Sequence, residues 1–102
     1  MPRLACKKDA NHDELVQAHR QLGWWIEDTW QVAQYIAGFP DAMGMHPKTG
    51  RVVFLEFKVS HARLTKAEQA WHERCPLPVV VERTVEDVLF THQAYGGLRD
   101  PG

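Results

Sequence analysis

From Arg51 to Val59 the chain reads Arg-Val-Val-Phe-Leu-Glu-Phe-Lys-Val. A run this rich in β-branched and aromatic residues is a strand. Side chains alternate between the two faces of a strand, so Val53, Leu55, Phe57 and Val59 share one wholly apolar face. Val52, Phe54, Glu56 and Lys58 share the other. Glutamate and lysine are almost never fully buried unless paired. A strand that otherwise looks buried therefore carries two charges that the rest of the fold has to satisfy.

The residues just before this strand supply a partner. Pro47-Lys48-Thr49-Gly50 is a turn sequence. If it closes a hairpin, His46 faces Arg51, and counting back along both strands sets Asp41 opposite Glu56. Directly opposed residues have Cβ atoms about 4.5–5.5 Å apart. Two carboxylates that close repel unless a cation or a proton lies between them. A divalent metal with oxygen ligands fits such a gap. A one-residue slip would turn Asp41 to the other face, so register and chemistry are a single expectation.

The flanking segments read as scaffold. Residues 1–10 form a flexible basic arm with Arg3, Lys7 and Lys8. Asn11 caps a first helix, with Glu14 completing a capping box, Leu15, Ala18, His19 and Leu22 as its inner stripe, and Gly23 as its stop. Trp24 to Trp30 is a strand with Trp24, Ile26 and Asp28 on one side. Its tryptophans are packing residues, with base stacking as the sharper alternative, and Asp28 is a strand-end polar residue, with an acid supporting the site as the alternative. Val32 to Ala37 is a helical turn or an irregular link. After the hairpin, Thr65 caps a second helix with Glu68 at the capping-box position and Ala67, Ala70 and Trp71 on its apolar side. Pro76 and Pro78 end it. Leu77 to Arg83 is a strand covered on both faces. Thr84 opens a last helix with Val85, Val88 and Leu89 inward, and residues 93–102 are a loose tail.

The order helix, strand, hairpin, helix, strand, helix implies a mixed sheet flanked by helices, an α/β core within 11–92. The chain has 102 residues and a formal net charge of −1, so one domain is expected and no strong global field draws it to a polyanion. A polyanion-binding protein of this charge needs a local basic face, a bound metal or dimerisation to gather phosphate contacts. No apolar run approaches a membrane span, and the first residues lack a signal-peptide hydrophobic region. Two cysteines, Cys6 and Cys75, make no disulfide framework, and an intracellular, cytoplasmic setting is the default.

Pro40-Asp41, a spacer, and Glu56-Phe57-Lys58 resemble the signature of the PD-(D/E)XK nuclease superfamily. Gly38-Phe39 before it, and Leu64-Thr65, Trp71 and Val79-Val80-Val81-Glu82-Arg83 after it, are similar to small stand-alone VRR-NUC-type and phage nuclease-like domains. The likeness runs over roughly residues 11 to 89. It implies a restriction-endonuclease-like core of order α-β-β-β-α-β-α and a Mg²⁺- or Mn²⁺-dependent deoxyribonuclease. Asp41, Glu56 and Lys58 would be catalytic. Asp41, Glu56 and the backbone carbonyl of Phe57 would hold the metal, with Glu14 as a further ligand from the first helix. Related sequences often carry a glutamine where Glu68 stands, which makes Glu68 an auxiliary site residue as well as a cap. Lys7, Lys8, Arg51, Arg63 and Lys66 are the candidate DNA contacts. A homodimer would present two sites to a Holliday-type junction or a flap.

Competing constellations are weaker. His72 and Cys75, with Cys6 and His12, have the residue types of a zinc site but no paired knuckle. There is no phosphate-cradling glycine loop and no Gly-x-Ser-x-Gly elbow. Oxygen ligands favour Mg²⁺ or Mn²⁺ over zinc. The rival reading from another class is a non-catalytic nucleic-acid-binding or protein-interaction module on the same scaffold.

Overall fold

The computed structural model describes residues 8–96. Its elements are α1 (His12–Gln21), β1 (Trp25–Asp28), a 3-10 segment (Trp30–Gln34), β2 (Ala42–Met45), β3 (Val52–Phe57), α2 (Lys66–Arg74), β4 (Val79–Glu82) and α3 (Val85–Tyr95). The four strands form one mixed sheet in the order β1-β2-β3-β4. The first three are antiparallel, and β4 lies parallel to β3. A parallel pair needs a crossover, and α2 supplies it.

The hairpin register places Ala42 against Leu55 and Met45 against Val52. The ladder continues one residue past each end of β2. His46 N–H donates to the Arg51 carbonyl at 3.3 Å, and Asp41 N–H donates to the Leu55 carbonyl at 3.0 Å. Asp41 therefore stands opposite Glu56.

The sheet is covered unequally. Leu15, Val16, Trp24, Ile26, Ala42, Val53, Leu55, Phe57 and Val88 make the core on the α1/α3 side. This burial is the main stabilising term, because apolar area removed from water contributes about 25 cal/mol per Å². On the other face Phe54 meets Trp71 of α2 with ring centroids 5.1 Å apart, and both rings pack against Phe39. No residue of α2 is buried. This helix lies on the sheet as a thin cover.

Several sequence expectations shift. Asn11 precedes α1 but makes no side-chain cap. Its Nδ2 instead donates to the Lys58 carbonyl at 3.1 Å and the Arg83 carbonyl at 3.0 Å, tying the ends of β3 and β4 together. The first strand stops at Asp28, and the chain turns into the 3-10 segment. Val59 lies beyond β3 and is exposed. Ala67 and Ala70 of α2 are exposed, and Trp71 alone of that expected apolar side is half-buried. Val79, Val80 and Val81 are only half-buried, since β4 is an edge strand. In α3, Val85 and Leu89 face solvent while Val88, Thr91 and His92 are buried. The helix continues to Tyr95 rather than fraying at Gln93, because Thr49 and Arg51 donate to the Tyr95 and Ala94 carbonyls.

The core also holds a polar network. His19 Nε2 lies 2.8 and 2.9 Å from the two carboxylate oxygens of Glu82, and the Thr91 hydroxyl donates to Glu82 at 2.6 Å. All three residues are buried. Buried charge is tolerated when it is paired and hydrogen-bonded in this way.

Candidate active site

At the Phe57 end of β3 the alternation of the strand sends Phe57 into the core and Glu56 to the α2 face. Glu56 is only 1% exposed. Asp41, at the mouth of β2, accepts the Phe57 N–H on Oδ2 at 2.7 Å. Its carboxyl also meets that of Glu56 in a side-chain hydrogen bond. Burial and the neighbouring Asp41 push the Glu56 carboxyl up to about 10. Asp41 is raised as well, chiefly by burial, against the opposing pull of Glu56, the Phe57 N–H and His12. Two acids this close disfavour double ionisation.

Lys58 follows on the same face. Its ammonium lies 2.7 Å from Glu68 Oε1. Burial works against the charged lysine, but Glu68 and Glu56 outweigh it and its pKa is raised. Glu68 also accepts the Thr65 N–H at 2.8 Å, completing the capping box of α2. Cap and site are therefore one side chain. Burial raises the Glu68 carboxyl, but Lys58 and the Thr65 N–H prevail and hold it below the ordinary glutamate value.

One turn further along α2, His72 Nε2 lies 3.1 Å from Glu56 Oε1. The two contacts form a ladder whose rungs match. Two strand residues advance about 6.7 Å, and four helix residues advance about 6 Å. Glu68 can thus sit over Lys58 while His72 sits over Glu56. Burial lowers the His72 pKa, which favours the neutral ring.

The loop before Asp41 is shaped for this approach. Gly38 has φ +82°, and a Cβ there would collide with the Ala67 carbonyl in the first turn of α2. Glycine lets the loop pass beneath the helix and deliver Asp41 to the pair.

From the opposite side α1 contributes His12 rather than Glu14. His12 is fully buried, packs edge-on against Phe57, and meets Asp28 Oδ1 at 2.7 Å. The charges of His12 and Asp9 both reach Asp41. Glu14 is exposed on α1. Ligand atoms of His12, Asp13 and Asp28 lie within 4.8 Å of one another, but Asp13 is exposed and tied to Lys8 at 2.9 Å.

The residues expected to hold a divalent cation fit one. Asp41 and Glu56 present hard oxygen donors side by side, the donor type that Mg²⁺ or Mn²⁺ takes, and burial and their mutual repulsion raise Glu56. The Phe57 carbonyl lies between Glu56 and Lys58 in the chain.

The expected DNA contacts are dispersed. Lys7 lies outside the described residues. Lys8 sits over the Trp30 ring at 5.7 Å and pairs with Asp13. Arg63 and Lys66 are exposed near the start of α2. Arg51 immediately precedes β3 at the far end of the strand, about 17 Å of extended chain from Glu56, and is bound to the C-terminal turn of α3.

Sequence reasoning assigned His72 and His12 to a zinc alternative, weighed Asp28 by itself, and missed Asp9 and the pairing of His12 with Asp28. The signal for His72 was present, since Glu68 and His72 are four residues apart and share a helix face. Cys75 is a free thiol at the end of α2. No family model, curated protein or solved structure matches this chain. Among the described residues no helix is long and apolar enough to cross a membrane.

Proposed function

We propose that this chain is a metal-dependent deoxyribonuclease of the PD-(D/E)XK type with a restriction-endonuclease-like core. One observation carries the reading: Asp41 and Glu56 meet across neighbouring strands with Lys58 beside them on the same face. A structural ion pair would place opposite charges together, whereas here two acids are pressed together and the lysine is neutralised from another element.

In this reading Asp41, Glu56 and the Phe57 carbonyl hold Mg²⁺ or Mn²⁺. When bound, the cation supplies Lewis-acid stabilisation of the phosphate and a more acidic water. The chain's own residues do the rest. Lys58 presents its ammonium where negative charge grows on the phosphate, and Glu68 fixes that ammonium in place. Water adds at phosphorus, one P–O bond breaks, and the departing oxygen takes up a proton. The substrate is DNA, with junctions and flaps as the favoured forms, and a homodimer would pair two such sites.

The test is a side-by-side digestion of four-way junction, flap, nicked, single-stranded and plasmid DNA with Mg²⁺. Glu56→Ala and Lys58→Ala serve as controls. Cleavage lost in both variants and in EDTA supports the proposal. DNA binding that persists in EDTA, with no cutting under any metal, favours the non-catalytic module.

A further inference from the structure

We infer that His72 is a positioning residue for the metal-binding carboxylate of Glu56, acting from α2 through its Nε2 hydrogen bond to Glu56 Oε1. The inference rests on the nuclease reading and adds a residue to it.

Glu56 is nearly inaccessible, so the imidazole rather than water satisfies one of its oxygens. In the ionised form that binds a cation, Glu56 accepts only, and the neutral ring there donates Nε2–H to it. That bond occupies one lone pair of Oε1 and holds the carboxylate's orientation beside Asp41. A glutamate side chain has three free torsions and can swing away from a site. With one oxygen pinned, the other is fixed in direction. The pin is rigidly mounted, because the neighbouring Trp71 is wedged against Phe54 and Phe39. Partners that hydrogen-bond a metal ligand commonly contribute about 10–100-fold in metal affinity or activity.

The arrangement also explains why α2, with no buried residue of its own, sits where it does. Its polar face grips the functional side chains at the end of β3 and just past it, His72 on Glu56 and Glu68 on Lys58.

The experiment measures Mn²⁺ affinity by electron paramagnetic resonance at one fixed pH, without DNA. The proteins are wild type, His72→Gln, His72→Asn, His72→Leu and Glu56→Gln. Glutamine places an amide N–H near the position of Nε2, whereas asparagine is too short to reach Glu56. The expected result is near-wild-type affinity for His72→Gln, about a 10-fold or larger loss for His72→Asn and His72→Leu, and no specific binding for Glu56→Gln. The Gln/Asn contrast keeps the test decisive if the leucine variant fails to fold. Equal affinity in wild type, His72→Asn and His72→Gln, with binding abolished in Glu56→Gln, overturns the role of His72 and leaves the metal site standing. Absence of Mn²⁺ binding in wild type overturns both.

Discussion

Glu68 Oε1 lies 2.7 Å from Lys58 Nζ and 2.8 Å from the Thr65 backbone nitrogen. One carboxylate oxygen thus closes the N-terminus of α2 and anchors the lysine that follows β3. The two duties separate by substitution. Glu68→Gln keeps a capping acceptor, since glutamine serves at this position of the capping box. It should unfold at nearly the wild-type temperature while losing the charge that holds Lys58. Glu68→Ala loses both and should cost about 1 kcal/mol of stability. Thermal denaturation of both variants, compared with their cleavage rates, checks this.

The acid pair makes a pH prediction. The Glu56 carboxyl is pushed up to about 10 from an ordinary 4.5, and Asp41 is raised too. The folded state therefore binds more protons than the unfolded chain, and the stability of the metal-free protein falls as pH rises. The contribution is fully present below the unfolded value near 4.5 and is lost as pH rises through the folded one. Denaturant titrations of metal-free protein between pH 6 and pH 9, in about unit steps, should give a declining stability. Glu56→Gln should flatten that decline. Added Mn²⁺ should stabilise wild type more at the alkaline end, because the cation displaces the proton.

Gly38 is expected to tolerate no side chain. Its positive φ and the Ala67 carbonyl over its Cα both oppose a Cβ. Gly38→Ala should lose about 1–3 kcal/mol and, by shifting the loop, move Asp41 away from Glu56. Urea unfolding reads the first effect and Mn²⁺ affinity the second.

The buried His19–Glu82–Thr91 network supports the sheet from the core side of β4, where Glu82 pairs with Phe57. Removing one partner of a buried pair leaves an uncompensated polar group, so Glu82→Ala should cost about 3–5 kcal/mol. Chemical denaturation tests it. Thr91→Val, which removes the hydroxyl's contacts with Glu82 and with the Asp87 carbonyl, should cost about 1–2 kcal/mol.

How far these features could be read from the residues varies with sequence distance. The hairpin register was legible because the Pro47–Gly50 turn fixes it locally and Asp41 and Glu56 then follow by counting. The Thr65–Glu68 cap was legible for the same reason. The contact of Glu68 with Lys58 was not, because it depends on where the β3-α2-β4 crossover lays the helix. Asn11 misled because a favoured capping residue was taken by two strand-end carbonyls distant in sequence. In α3 the apolar residues Leu89 and Phe90 point outward, while Thr91 and His92 point inward toward buried polar partners, so a hydrophobicity pattern alone picks the wrong face.

The most direct test of the central claim is single-turnover cleavage of an end-labelled four-way DNA junction with Mg²⁺, comparing wild type with Asp41→Asn, Glu56→Gln and Lys58→Met. The account expects product from wild type alone, at a rate at least about 100-fold above each variant, and none in EDTA. Equal cutting by wild type and Glu56→Gln, or no cutting of any DNA by folded, Mn²⁺-loaded wild type, would contradict it.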